Sequence, residues 1–574
     1  MALPISSRAS RTTAPQYEGR GDSVKTNKRD GWLGVSILLL VIFIIFLAFP
    51  LMGLLKQSVY NEAGELSLEN FVRFFTYTNG YYLKPIANSV KVTVATTLVS
   101  LLLGIPIAYF YSFYKIRGAK LLFVVSILCS MSAPFIGAYS WILLLGRSGA
   151  ITKALSALLG FKMPAIYGFK GILLVQSLKF FPLVFIYMNG AFKDIDNTLM
   201  EAAANMGCTG VKRLVRIVLS LSMPTILAAA LMVFMQAFAD FGTPMLIGEG
   251  YQTFPVMIYN AYLGEGGTNR NFAAALAVVA IVITAVVFFF QKWGTSRFRF
   301  SMNALHPVEK KQAKGVSGFL MHLYCYALVG IAFMPQLYII YLSFCNYKGS
   351  IRQGTYGFNN YIQASKKLLS RSINNTAMMG IIALLIIVVL AVLIAYLVVR
   401  RSSVLNNTID TISMLPYIMP GAVVGLSLLL AFGKKPIALT GTFAIMVISF
   451  VIRRLPYTIR SATATLMQIS PSIEEAAISL GASKAKTFAR ITVPMMANGI
   501  LSGAILSWVA IVTELSSSII LYSNKSITLT MSTYLAILRG NDGIAAAFAA
   551  ILTAVTTISL LLYLKISKSE DVRL

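Results

Sequence analysis

The chain has 574 residues, a formal net charge of +29 and a mean hydropathy of +0.75. Hydrophobic residues make up 57% of it and charged residues only 12%, whereas an ordinary soluble protein carries about 25% charged residues. This balance excludes an ordinary cytoplasmic enzyme, a disulfide-stapled secreted protein and a disordered protein, and it indicates a polytopic membrane protein.

Residues 1–30 are polar and basic, and they lack the short apolar core and cleavage site of a signal peptide. We expect them to form a disordered cytoplasmic tail. Beyond them, a helix needs about 20 apolar residues to cross the hydrocarbon core of a bilayer. The runs of that kind predict twelve transmembrane helices, at 31–55, 88–112, 121–146, 171–192, 222–247, 272–291, 317–344, 376–399, 409–432, 438–459, 498–521 and 544–564.

Lysine and arginine are more frequent in the loops on the side of the N-terminus than in those on the other side. Basic loops face the cytoplasm, and an even number of spans puts both ends on one side, so both termini are predicted to be cytoplasmic. Because the basic residues lie between apolar runs rather than on one soluble face, we expect contact with the bilayer and none with nucleic acid.

The chain repeats itself. Asn88 and the IAY segment twenty residues later recur at Asn375, and FPLVFIYMNGAFKDIDNTLMEAAANMG from Phe181 aligns without gaps on LPYTIRSATATLMQISPSIEEAAISLG from Leu455. The sequence therefore predicts an all-α membrane protein of two parallel six-helix halves, 31–291 and 317–574, joined by a basic cytoplasmic linker at 292–316.

Each half carries the same motif in the inner loop between its fourth and fifth spans, at 201–224 and 475–494. A Glu-Ala-Ala helix is followed by a glycine six residues after the glutamate, and then by a basic amphipathic helix. Glycine permits a tight turn with positive φ between two helices. The motif residues are Glu201, Ala202, Ala203 and Gly207 in the first loop and Glu475, Ala476, Ala477 and Gly481 in the second.

Two loops with this spacing resemble the EAA loops of the membrane-spanning subunits of binding-protein-dependent ABC importers. The resemblance implies that each loop is a coupling helix that docks on one of two copies of an ABC ATPase, and that an extracytoplasmic binding protein delivers the substrate at a bacterial inner membrane. It also implies that two permease halves are fused here. The first loop has Ser220 where the second has Pro494, with Pro224 four residues later, so we expect its helix to enter the membrane with a different kink.

The sequence contains no GxxxxGK[ST], HExxH or GxSxG pattern. We therefore expect no catalytic residue, no metal site and no bound cofactor in this chain. The chain is interpreted as a transport subunit, not an enzyme, and ATP with Mg²⁺ would be used by a separate ATPase.

ADFGTPMLIG, at 239–248, resembles a signature of the fused ferric-iron permeases, which implies ferric iron as the substrate. Fused permeases for phosphonates or other organophosphate anions, for thiamine and for polyamines remain alternatives. A secondary transporter of the commonest 6+6 form is disfavoured, because YSFYKIRGAK at 111–120 does not match its characteristic loop. A channel would leave the paired loops unexplained.

Five ionisable residues fall within the predicted spans. Lys179 and Arg453 are repeat equivalents, as are Asp240 and Glu514, and Arg454 follows Arg453. Charges inside a membrane usually pair or line a polar path. We predict that Lys179 pairs with Asp240, and Arg453 or Arg454 with Glu514, near the outer gate of a translocation path. The alternative is that the basic side chains reach the surface and that Asp240 only begins a turn.

Overall fold

The computed structural model describes residues 31–61, 63–76, 80–160, 164–264, 269–297, 308–349, 351–434 and 437–566. The predicted tail, 1–30, and residues 298–307 of the predicted linker lie outside the described residues.

The described chain is mainly helical, and its two halves have similar series of helices, apart from one short helix in the first half and a hairpin in the second. The first half comprises α1 (Gly31–Ser58), α2 (Glu69–Thr76), α3 (Leu83–Phe113), α4 (Ala119–Met131), α5 (Pro134–Leu145), α6 (Ala150–Leu159), α7 (Gly168–Lys193), α8 (Asn197–Asn205), α9 (Gly210–Leu221), α10 (Met223–Phe238), α11 (Gly242–Ile247), α12 (Phe254–Leu263) and α13 (Arg270–Arg297).

The second half begins with α14 (Gly315–Ser343) and an antiparallel hairpin, β1 (Cys345–Lys348) and β2 (Ile351–Tyr356). It continues with α15 (Asn359–Lys367), α16 (Leu369–Arg400), α17 (Val404–Ile418), α18 (Gly421–Ala431), α19 (Phe443–Gln468), α20 (Pro471–Ser479), α21 (Lys484–Met495), α22 (Ala497–Val512), α23 (Ser518–Leu521), α24 (Leu529–Leu538) and α25 (Asp542–Ile566).

Within the described residues, eight helical stretches are long and apolar enough to cross a membrane, or eleven if three bent helix pairs each count as one span. The multi-pass, all-α prediction is confirmed. The count of twelve is reached only if α19, which replaces the predicted span 438–459, is added. That helix carries Arg453, Arg454 and Arg460 and is not among the eleven.

Two predicted spans are each broken in the middle. The span predicted at 121–146 is α4 followed by α5, and the span at 409–432 is α17 followed by α18, with a bend of 112°. Ala133 and Met419, each preceding a proline, have extended backbones at the two breaks. A residue before proline is driven away from the helical region, so the Ala-Pro and Met-Pro pairs inside these runs were the sequence signal.

The spans predicted at 222–247 and 498–521 end earlier than expected. Helix α10 ends at Phe238 and α22 at Val512, and a turn and the short helices α11 and α23 follow. Two further short helices, α12 and α24, lie in stretches predicted as loops, although residues such as Phe254 and Leu529 are fully or almost fully buried there. The side of each half opposite its Glu-Ala-Ala loop is thus built from short packed helices.

The two halves interlock through the first helix of each. Helix α1 packs on α17 and α18 of the second half, and α14 packs on α4 and α5 of the first half. At the start of α1, the Trp32 ring lies 4.7 Å from that of Tyr396 and 5.1 Å from that of Phe488. Each first helix also contacts the last helix of its own half, α13 or α25, so it joins the two halves.

The described end of the linker contacts the first half. Lys311 donates its backbone N–H to the carbonyl of Phe113 at 2.9 Å and accepts from the N–H of Lys115 at 2.9 Å. This backbone pairing fixes the linker beside the C-terminal end of α3.

Candidate functional site

The two EAA loops have the same backbone geometry. Gly207 has φ +75° and Gly481 has φ +89°, as their spacing predicts. The N–H of Gly207 donates to the carbonyl of Ala204 at 2.9 Å, and that of Cys208 to Ala203 at 2.8 Å. The equivalent bonds join Gly481 to Ile478 at 2.9 Å and Ala482 to Ala477 at 3.0 Å. These paired bonds form a Schellman cap, which ends each helix at the same point.

The motif side chains divide between the inside and the surface in the same way in both loops. Ala203 and Ala477 are buried, whereas the other alanine and the glutamate of each motif are exposed: Glu201, Ala202, Glu475 and Ala476. The residue before each glycine is a large apolar one that is also exposed, Met206 by 78% and Leu480 by 90%. Each loop therefore presents an exposed glutamate, a small residue and an apolar side chain.

The helix after each loop breaks at equivalent positions. A π-helical turn at Leu214–Val218 in α9 matches one at Phe488–Thr492 in α21. The bend to the following span is 76° in the first half and 67° in the second. The first bend directly precedes Pro224 and the second follows Pro494. The two bends therefore differ only slightly, although Pro224 and Pro494 lie on opposite sides of the same break.

A neighbouring glutamate, which sequence reasoning missed, fixes the second loop from inside. Glu474 is buried and accepts from Arg400 Nε at 3.0 Å, and both side chains are 11% exposed. Tyr396 Oη donates to Glu474 at 3.3 Å, and Arg400 Nη2 donates to the carbonyl of Ile469 at 2.7 Å. Two adjacent glutamates thus differ in role, since Glu474 packs inward and Glu475 faces out.

The charged residues of the second half meet as predicted. Glu514, with a side chain that is 1% exposed, accepts from both Arg453 and Arg454. It also accepts from the backbone N–H of Ser517 at 3.1 Å, just before α23. One carboxylate thus pairs with two guanidinium groups and fixes the turn that ends the fifth span.

The predicted ion pair of the first half is wrong. Asp240 accepts instead from Gln176 Nε2 at 3.1 Å and from the N–H of Thr243 at 3.4 Å. It therefore begins a turn, which is the part of the alternative that the structure supports. No contact within 4.0 Å joins the described side chains of Lys179 and Asp240. Lys179 Nζ lies 5.0 Å from the Phe180 ring, within electrostatic range of Asp240 and of Arg454.

Polar side chains from both halves meet between α7 and α10 on one side and α17 and α19 on the other. We call Tyr187, Gln236, Tyr417, Arg454 and Tyr457 the interface layer. The rings of Tyr417 and Tyr457 lie 5.5 Å apart, and Arg454 Cζ lies 6.0 Å from the Tyr457 ring. Tyr187 and Gln236 lie within electrostatic range of Tyr417.

All five side chains of the interface layer are half-buried rather than sealed in the core. Tyr417 Oη also donates to Met232 Sδ of the first half at 3.8 Å. Sequence reasoning missed the three tyrosines and the glutamine, although their signal was polar groups within apolar runs. The layer provides hydroxyl, amide and guanidinium groups where the halves meet.

Among the described residues, no group of three or more His, Cys, Asp and Glu side chains is placed to hold a metal ion. The four cysteines are free thiols. Cys129, Cys325 and Cys345 are buried, and Cys208 is half-buried.

The family described as "Binding-protein-dependent transport system inner membrane component" matches the chain twice, at 100–300 and 387–569. The chain is 29% identical to the "Ferric transport system permease protein FbpB" of Actinobacillus pleuropneumoniae, over 91% of this chain and 76% of that protein. It is 28% identical to the "Putative ferric transport system permease protein FbpB 1" of Haemophilus influenzae, over 87% and 79%.

Shorter relatives match about half of the chain. A "Putative 2-aminoethylphosphonate transport system permease protein PhnU" of Salmonella paratyphi A is 23% identical over 46% of this chain and 91% of its own. Among solved structures, a chain of a bacterial ABC transporter involved in alginate import is 21% identical over 47% of this chain and 96% of its own, with a TM-score of 0.38.

Proposed function

Because the chain belongs to the binding-protein-dependent transport system inner membrane component family, we propose that it is the membrane-spanning subunit of an ATP-driven importer of ferric iron. Similarity to the ferric transport permeases over about nine-tenths of the chain carries the choice of substrate. In this function, an extracytoplasmic binding protein delivers the cargo, and the two halves pass it inward by alternating access. The chain itself binds neither ATP nor Mg²⁺.

The two EAA loops are the proposed docking sites for two copies of an ATPase subunit. Support comes from several exposed apolar side chains at each loop, since grouped apolar residues at a surface mark protein contacts. They are Leu199, Met206 and Val211 at the first loop and Ile473, Ile478 and Leu480 at the second. The loops also continue through α9 and α21 into the fifth spans. A push on either loop would therefore be transmitted to Asp240 or Glu514 at the other end of that span. This function places the loops and both termini in the cytoplasm.

The docking proposal is tested by Met206→Asp and Leu480→Asp in cells that produce the chain together with its partner subunits. Each change should reduce both co-purification of the ATPase and uptake of radioactive iron, with unchanged amounts of the chain in the membrane. Val404→Asp is the matched control, because Val404 is 85% exposed at the start of α17, outside both loops. Normal ATPase retention in the double variant would contradict the docking role.

A phosphonate is the second candidate cargo, because the aminoethylphosphonate permeases also match this chain, over one half of its length. Uptake of radioactive iron and of radiolabelled aminoethylphosphonate, measured side by side in cells with and without the chain, separates the two. Iron uptake that does not depend on the chain would remove the ferric assignment.

A further inference from the structure

The charges where the two halves meet do not balance. Arg453 and Arg454 share the single carboxylate of Glu514, and the Nε atom of each arginine is buried without a hydrogen-bond partner. In the first half, Lys179 and Asp240 contribute one charge each. With all five groups ionised, this region has one positive charge in excess.

Such an excess has a direct consequence for a trivalent cation. Repulsion between like charges is much stronger in a protein interior than in water, and intramembrane charge is retained chiefly where it serves transport. A bare ferric ion would approach three basic side chains, while both nearby carboxylates are already hydrogen-bonded. An anionic species would instead be attracted by the same excess of positive charge.

Arg454 is the basic residue best placed to meet a cargo. Its guanidinium faces the Tyr457 ring at 6.0 Å and belongs to the half-buried interface layer. Arg453 is more enclosed, because a Cβ atom added at Gly421 would lie 2.6 Å from its Nη1. Arg454 uses Nη2 for Glu514 and its Nε is buried, so Nη1 is the guanidinium nitrogen left to bind a cargo group.

We propose that the cargo crosses the interface layer with anionic oxygen groups, which bind the guanidinium of Arg454 and accept hydrogen bonds from Tyr187, Tyr417 and Tyr457. Guanidinium groups bind oxyanions through charge-assisted hydrogen bonds, and phenols are good donors. The proposal rests on the import function above. The oxygen groups belong to the ligands of a ferric complex or to a free oxyanion, and the two sources give different transport results.

The test compares Arg454→Met with Arg460→Met in cells that carry the complete transporter. Arg460 lies on the same helix, but it is 53% exposed and pairs with Asp410 at 3.3 Å, outside the interface layer. Arg454→Met should fold, because Arg453 still pairs with Glu514, and equal membrane levels and thermal unfolding of the purified variants check this. Radioactive iron with excess citrate and radiolabelled aminoethylphosphonate are the probes.

We expect Arg454→Met to lower iron uptake about tenfold or more, because it removes a charge that meets the cargo inside the membrane. Arg454→Lys should restore part of it, and Arg460→Met should have no effect. If iron crosses as a bare cation, removing a positive charge raises uptake or leaves it unchanged, and this result overturns the inference while the ferric function stands. Phosphonate uptake that depends on Arg454, without iron uptake, removes the ferric function and assigns the oxygen groups to a free oxyanion.

Discussion

Tyr139 of α5 donates a hydrogen bond from its hydroxyl to Asp542 Oδ1 of α25 at 2.6 Å, so it joins the first half of the chain to the last helix of the second. The Tyr139 side chain is almost fully buried. The bond lies at the first turn of α25, where a carboxylate is also favoured by the helix dipole.

Removing the Tyr139 hydroxyl should weaken the contact between the halves. Tyr139→Phe leaves the half-buried Asp542 carboxylate without this donor, and a hydrogen bond to a charged group contributes about 1.5–3 kcal/mol. We expect Tyr139→Phe to lower the thermal stability of the purified chain. The loss of stability should be smaller when Tyr139→Phe is combined with Asp542→Asn. Equal stability of Tyr139→Phe and the parent protein would show that the bond contributes nothing.

Glu474 and Glu475 should respond differently to the same substitution. Glu474→Ala strands Arg400 in a largely buried position, and breaking such a pair costs about 3–5 kcal/mol, so the folded yield should fall. Glu475→Ala changes an exposed side chain, so the yield should be normal while ATP-driven uptake decreases. Yield is measured by size-exclusion chromatography in detergent, and the hypothesis fails if the two variants lose yield equally.

Substitution of the loop glycines should reduce uptake because of backbone conformation alone. A Cβ added at Gly207 or Gly481 would meet nothing within 4 Å, but positive φ is a genuine outlier for a β-branched residue. Gly207→Val and Gly481→Val should therefore leave the protein inserted and reduce uptake. Gly330→Ala is the control, because a Cβ at Gly330 also meets nothing within 4 Å and its φ is not positive.

Neutralising the two intramembrane acids should give unequal losses. Glu514→Gln leaves Arg453 and Arg454 without their carboxylate, and stranding buried charges is strongly destabilising. Asp240→Asn keeps an oxygen that can accept from Gln176 and Thr243. We expect a greater loss of folded protein for Glu514→Gln, measured as membrane yield and thermal unfolding. A larger loss for Asp240→Asn would mean that Lys179 depends on Asp240 after all.

The proposed orientation predicts which loops are reached from outside. In a background without the four native cysteines, Lys212→Cys and Lys486→Cys should resist an impermeant thiol reagent in intact cells. Lys434→Cys and Lys525→Cys should react. All four lysines are exposed, so differences in reactivity report sidedness. Labelling at position 212 from outside would reverse the topology and remove the coupling role of the loops.

The sequence was most informative where two copies of a pattern could be compared. Gly207 and Gly481 have the turn that their spacing predicts, and Glu514 meets the predicted arginines. Prediction failed where the direction of a side chain around its helix mattered. Depth along the helices placed Lys179 near Asp240, but Gln176, one turn earlier on α7, donates the hydrogen bond to the Asp240 carboxylate. The breaks at Pro134 and Pro420 were not predicted either. The spans were assigned from runs of apolar residues, and an apolar proline does not interrupt such a run.

The interlocked packing of α1 has a consequence for biosynthesis. The surface that α1 covers belongs to α17 and α18, which the ribosome makes several hundred residues later. At typical synthesis rates of 5–20 residues per second, that delay is on the order of tens of seconds. During this time, the surface of α1 that α17 and α18 cover in the finished protein faces lipid or the insertion machinery. Helix α1 therefore completes its packing only after α17 and α18 have been made.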